Sequence, residues 1–310
     1  MASMMRESSP AEAGARVEQA LNRLRNEIPA ARNVVDAFGS VLMERARLRA
    51  ELPALQDPML EPPNAARLEQ GVPLTTAEAI IRFTRKEWLH AADRLFPPME
   101  LGFPTLRADL GTVRSALVSG ELDPEQCLVG ILTSRQDELE SLTKRLGVTR
   151  EGLTFAVSQI ARPLIEKRAE DLAPLVRDLR WPKGYCPICG SPPGLSLLRG
   201  KEGQRWLRCS FCAHEWRFAR LVCPLCEHEG PKQLELYFVA GSEHDRAEVC
   251  HACKRYLLSV DLRQRVHEFI PDVAEIGLFH LDMLVQEKGF RPASEGGTSK
   301  PVIGGAEPTR

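Results

Sequence analysis

From about Pro10 to Arg180, apolar residues recur every three or four positions, the spacing that lines one face of an α-helix. Val17, Leu21, Leu24 and Ile28 follow Ser9-Pro10-Ala11-Glu12, a capping serine before proline at the first helical position. Pro53, Pro58, Pro62 and Pro63 interrupt the pattern and read as a connector. Thr75-Thr76-Ala77-Glu78 has the form of a capping box, in which hydroxyl and carboxylate each satisfy an orphan backbone N–H, so a helix is expected there. Asp123-Pro124-Glu125 and Thr149-Arg150-Glu151 are further start signals, the second leading into Leu153, Phe155, Val157, Ile160 and Leu164. Residues 1–180 are therefore read as an all-α helical domain. Within it, Trp88 and Cys127 are read as packing side chains and His90 as a solvated or hydrogen-bonded one, because aromatic and cysteine side chains are routinely buried.

The pattern changes at Trp181-Pro182-Lys183-Gly184. Strand-like runs follow at Arg205 to Arg208, Trp216 to Val222 and Leu234 to Val239, which predicts a small β-rich module over 181–265. Pro271-Asp272-Val273-Ala274-Glu275, with Ile276, Phe279, Leu281 and Leu284, predicts a closing helix within 266–290 that packs back on the bundle. Residues 291–310, rich in Gly, Pro, Ser and Thr, read as a disordered tail. The fold class expected is α+β.

Composition adds limits more than direction. The chain has 310 residues, 43% hydrophobic and 27% charged, with a formal net charge of −1, as in an ordinary water-soluble globular protein. Near-neutrality gives no general pull toward nucleic acid or acidic membranes. No apolar run approaches the length of a membrane span, and the N-terminus lacks the apolar core of a signal peptide, so a cytoplasmic location is expected.

The chemistry is concentrated in four Cys-x-x-Cys pairs: Cys186/Cys189, Cys209/Cys212, Cys223/Cys226 and Cys250/Cys253. Two thiolates separated by two residues grip one soft metal ion, and two such pairs complete a tetrahedron. A disulfide framework fits poorly, because such frameworks staple small secreted domains. Sequential pairing encloses the loops 190–208 and 227–249; a crossed arrangement, first pair with third and second with fourth, is the alternative. Gly190 follows the first quartet's opening pair and can take the left-handed conformation that aims N–H groups at sulfur, whereas Ala213, Glu227 and Lys254 occupy the same place after the other pairs and suit it less.

Zinc and iron both accept four thiolates; zinc would be structural, whereas iron would add one-electron chemistry. His214, His228, His244 and His251 lie nearby, but eight cysteines already complete two cages. A closed cage has no open position for activating water, and no His-Glu-x-x-His, deaminase signature, phosphate loop or Gly-rich dinucleotide turn is present, so the chain is not read as an enzyme. Arg199, Lys201, Arg205, Arg208, Arg217 and Arg220, with Trp206 and Trp216 interleaved, offer a nucleic-acid-binding ribbon as an alternative. Glu202 and Glu215 break that patch, and a solvated β-surface is favoured.

The run from Cys186-Pro187-Ile188-Cys189-Gly190-Ser191-Pro192 through Arg205-Trp206-Leu207-Arg208-Cys209-Ser210-Phe211-Cys212, Glu215-Trp216, Arg220, Cys223, Cys226-Glu227 and Ala247-Glu248-Val249-Cys250 to Cys253 and Tyr256-Leu257 resembles the formate dehydrogenase accessory protein family, FdhE. The match is close from Tyr185 to about Leu258; the helical region and closing helix agree in layout and length only. The resemblance implies a cytoplasmic maturation factor that binds the catalytic subunit of a respiratory formate dehydrogenase before its export. It further implies two rubredoxin-like lobes, each holding an iron ion on four of the eight cysteines, with zinc as the alternative; a rubredoxin-like electron carrier is another reading. Lys254-Arg255 stand where Gly-Thr is usual in the family, which bears on redox function at the fourth pair.

Overall fold

The computed structural model describes residues 9–54, 64–239 and 241–294. Pro58, Pro62 and Pro63 of the expected connector lie outside these residues. The helical part comprises α1 Pro10–Glu27, α2 Arg32–Glu51, α3 Ala65–Glu69, α4 Ala77–Ile80, α5 Arg85–Gly102, α6 Arg107–Ser119, α7 Pro124–Leu132, α8 Gln136–Leu146 and α9 Arg150–Leu172.

Local caps explain the helix starts. Ser9 Oγ accepts from the Glu12 amide and Ser9 N–H donates to Glu12 Oε2 at 2.8 Å, a complete capping box opening α1. Asp123 and Thr149 cap α7 and α9 as expected. The signal at Thr75 works differently. The Thr75 amide is donated to the carbonyl of Ile188, so Thr76 becomes the cap, and α4 ends after one turn. The reciprocal box sits instead at Thr84 and Glu87 and opens α5.

The start at Thr149 introduces the central helix. Leu153, Val157, Ile160, Leu164, Ile165 and Leu172 of α9 are buried around its circumference, against α2, α5, α6, α7 and α8. Trp88 and Cys127 are core residues, with Trp88 edge-on to Phe83 at 5.6 Å. His90 is part-exposed beside Glu51.

The strands are β1 Pro193–Arg199, β2 Gln204–Cys209, β3 Glu215–Arg217, β4 Leu234–Phe238, β5 Asp245–Cys250, β6 Arg255–Asp261 and β7 Arg291–Pro292. They form one sheet in the order β3-β2-β1-β6-β5-β4, with β7 beside the start of β6. Two antiparallel lobes, β1-β2-β3 and β4-β5-β6, have the same connectivity and meet along the parallel pair β1 and β6, with Leu195 opposite Leu258. The two cysteine quartets thus belong to two lobes that repeat the same strand arrangement.

Three corrections follow. The hydrophobic segment after Pro192, not among the strand-like runs expected, is β1, a central strand buried on both faces. In the run Trp216 to Val222, β3 ends at Arg217 and the last bond to β2 is from Phe218 N–H to Arg205 O; beyond it the Arg205 guanidinium donates to the Ala219 and Val222 carbonyls, and Val222 bridges Glu229. Strand pairing also continues into the segment expected to be a disordered tail. Arg291 N–H donates to Lys254 O at 3.0 Å and Ala293 N–H to Tyr256 O at 2.9 Å; residues 295–310 lie outside the described residues.

The C-terminal region folds as two helices, α10 Pro271–Gly277 and α11 Phe279–Glu287. The first packs on α1 and α2, and the second covers one face of the sheet through Leu281 and Val285, with Leu278 at its N-cap in the same apolar cluster. Among the described residues no helix is long and apolar enough to cross a membrane.

Candidate metal centres

Each cysteine pair lies on a tight turn that recurs four times. The first cysteine's amide donates to a carbonyl five residues on in three of them: Cys186 to Ser191, Cys209 to His214 and Cys223 to His228, at 2.9, 2.9 and 3.0 Å. In the fourth, Cys250 faces Arg255 across the β5 and β6 hairpin. The residue after each second cysteine is left-handed, with φ of 74° at Gly190, 59° at Ala213, 55° at Glu227 and 58° at Lys254. Ala213, Glu227 and Lys254 therefore make the same turn as glycine, against the steric preference of a side chain.

The turns bring the eight thiols together in sequence order, Cys186, Cys189, Cys209 and Cys212 in one group and Cys223, Cys226, Cys250 and Cys253 in the other. In the first, Cys186 and Cys212 sulfurs are 3.6 Å apart, and Cys189 lies 3.5 Å from both Cys209 and Cys212. In the second, Cys223 to Cys253 is 3.8 Å and Cys226 to Cys250 is 3.7 Å. A tetrahedral ion with sulfurs at about 2.3 Å sets them about 3.8 Å apart, so both groups fit one ion of zinc or iron size. The histidines stand close for another reason: His214 and His228 supply backbone carbonyls to the turns, and among the described residues neither group of potential ligands includes a histidine.

Without an ion, four thiols compete for protons. Burial and the neighbouring thiols push Cys186 well above the ordinary thiol value. Burial opposes ionisation of Cys209 too, yet the hydrogen bonds it receives from surrounding thiols and the Cys212 amide hold it well below that value. In the second group burial raises Cys253 to about 11, whereas backbone amides of Cys253 and Ala252 outweigh burial and lower Cys250. A divalent ion would deprotonate all four ligands in either group.

The surroundings differ sharply. The first centre is part of the main core, with Cys186, Cys209 and Cys212 fully buried and Trp181 and Trp216 packed beside them. It also ties the helical part to the sheet. Leu74 and Thr75 amides donate to the Pro187 and Ile188 carbonyls at 2.8 Å, Tyr185 Oη donates to Gly71 O at 2.6 Å, and Arg162 Nη1 of α9 donates to Ser210 O at 2.6 Å. The second centre stands at the surface, with Cys226 exposed and Cys253 half-buried. Gly184 joins the two: a Cβ there would lie 1.8 Å from the carbonyl oxygen of Pro224, between Cys223 and Cys226. Gly184 thus makes a close backbone approach within the module that follows the helical region.

The arginines of the alternative nucleic-acid face are largely engaged internally. Arg205 pairs with Glu248, Arg208 with Asp272 and Glu275, and Arg199 with Glu215. Arg208 belongs to a buried ionic cluster with Arg45, Arg49, Arg162, Glu166 and Asp272 that spans α2, α9, β2 and α10. Nothing in the spacing of these residues marked them as partners.

Residues 185–220, the first lobe, match the family model described as the FdhE central domain. A Pseudomonas aeruginosa protein named as an FdhE homologue is 30% identical over 281 residues, 82% of this chain and 83% of that one. The chain belongs to the FdhE family. An Aquifex aeolicus FdhE homologue is 28% identical over 173 residues, which span 51% of this chain and 60% of that relative, so the match covers three fifths of its length. The crystal structure of FdhE from P. aeruginosa superimposes with a TM-score of 0.65 at 22% identity over 95% of this chain and 98% of that one, which shows a shared fold.

Proposed function

We propose that this FdhE-family chain is an accessory factor, not an enzyme, that acts in the cytoplasm on the catalytic subunit of a respiratory formate dehydrogenase before export. Membership of the family supports the target. The observation that carries the non-catalytic role is the pair of closed four-thiol groups, Cys186/Cys189/Cys209/Cys212 and Cys223/Cys226/Cys250/Cys253, which leave an ion no open position for substrate. The ions are read as iron, one per group, and their task as holding the two lobes in a shape that a partner protein can dock on. At the exposed second group an iron could also pass an electron to the partner.

Co-purification of the tagged chain with the formate dehydrogenase catalytic subunit, together with formate oxidation in a deletion strain complemented by this chain, tests the role. Failure of the wild-type chain both to restore activity and to retain the subunit would sink it. Metal analysis and a visible spectrum of anaerobically purified protein decide the ion: sulfur-to-iron charge-transfer bands support iron, and colourless protein with zinc makes both centres purely structural.

A further inference from the structure

The two quartets share their turns and sulfur spacings but not their access to solvent. In the first, no cysteine exposes more than 2% of its surface. An oxidant reaches those sulfurs only when the core opens, which costs a large part of the folding free energy. In the second, Cys226 is exposed on the loop between β3 and β4. Its Sγ lies 3.7 Å from that of Cys250, and the Cys223 and Cys253 sulfurs are 3.8 Å apart. Metal-bound cysteines are already thiolates, the form that reacts with peroxide.

We infer that the second quartet is a site of oxidative modification, at which hydrogen peroxide reacts with Cys226, a Cys226–Cys250 disulfide forms and the bound ion is released, while the first quartet keeps its ion. This rests on the reading that both quartets hold metal. In the first step the Cys226 thiolate attacks one peroxide oxygen, the O–O bond breaks, hydroxide leaves, and Cys226 becomes a sulfenic acid. In the second, the Cys250 thiolate attacks the Cys226 sulfur, an S–S bond forms, the S–O bond breaks and a second hydroxide leaves. Each sulfur has lost one electron and the peroxide has gained two; solvent protons convert both hydroxides to water. A redox-inert ion such as zinc keeps its oxidation state, has lost two of four ligands, and dissociates. Cys223 and Cys253, freed of it, can repeat the sequence with a second peroxide.

The test uses the full chain loaded with zinc, which has no redox chemistry of its own, and reads zinc release with a chromogenic chelator alongside disulfide mapping by mass spectrometry during exposure to hydrogen peroxide. The expected result is a starting load of two zinc ions, loss of one of them, disulfides confined to Cys223, Cys226, Cys250 and Cys253, and recovery of the lost ion after a dithiol reductant and fresh zinc. A starting load of two with both ions leaving together, neither leaving, or disulfides forming at Cys186, Cys189, Cys209 or Cys212 first overturns this inference alone. A starting load below two overturns the metal reading beneath it as well.

Discussion

Arg208 Nη2 donates to Asp272 Oδ1 across 2.7 Å, and the residue after Arg208 is Cys209 of the first centre. The pair joins the edge of a cysteine turn in β2 to the first turn of α10, and Arg45 reaches the same carboxylate from α2. Three segments distant in sequence thus converge on one carboxylate. Burial opposes ionisation of Asp272, but Arg208, Arg45 and Arg162 outweigh it and hold the carboxyl below the usual range.

Asp272→Asn leaves Arg208 buried without its closest counter-charge, and truncating one side of such a pair costs about 3–5 kcal/mol. A lowered folded-state pKa gives stability that is complete above the unfolded value of about 4 and lost as pH falls through the folded value. Urea unfolding at neutral pH and through the acid range is therefore expected to show a less stable variant whose stability falls less steeply with acid than that of wild type. Equal slopes would remove Asp272 from the acid response.

Gly190 and Ala213 occupy equivalent left-handed positions, so substitutions that exchange them have opposite signs. Gly190→Ala places a Cβ 3.1 Å from Pro73 Cγ as well as in an unfavourable backbone region, and should lose about 1–2 kcal/mol. Ala213→Gly relieves the same strain and should gain up to about 1 kcal/mol after the extra chain entropy of glycine. Thermal melts of the two variants beside wild type check both; shifts of the same sign would refute the equivalence of the turns.

Each centre has its own structural reach. Cys189→Ser should lower the metal load by one ion, lower the melting temperature, and speed amide exchange at Leu74 and Thr75, whose hydrogen bonds end on the Pro187 and Ile188 carbonyls. Cys253→Ser should also lose one ion but leave Leu74 and Thr75 protected. Metal analysis with hydrogen exchange distinguishes the two, and unchanged metal content in either variant would count against its site.

Cys127 stands apart from both centres. Burial in the helical core, and secondarily the nearby Asp123 charge, push its thiol up to about 12. It should resist alkylation at pH 8 in the native protein and react only in denaturant. Mass spectrometry of iodoacetamide-treated protein reads this directly, and rapid native labelling at Cys127 would contradict its placement.

The features readable along the chain were those whose physics is local. Ser9 with Glu12, Asp123 with Pro124, and Thr149 each cap a helix through atoms within three residues, and a Cys-x-x-Cys turn carries its own hydrogen bonds. The β-strands were harder because their partners are remote. Pro193-Gly194 at the start of β1 looks like a turn, yet the segment becomes a central strand by pairing with β2 on one side and β6 on the other. Lys254 looked ill-suited to its turn and adopts the left-handed conformation nonetheless, with its carbonyl engaged by Arg291 and its ammonium over Phe290.

The sequence by itself determined a helical region followed by eight cysteines able to form two four-thiol groups, because caps, helical periodicity and paired thiols act over a few residues. Tertiary structure alone decided that β1 and β6 fuse the lobes into one sheet, that Arg208 meets Asp272, and that one thiol group is sealed in the core while the other opens at Cys226. Those outcomes depend on which distant surfaces exclude water from one another, and spacing along a chain carries no record of that.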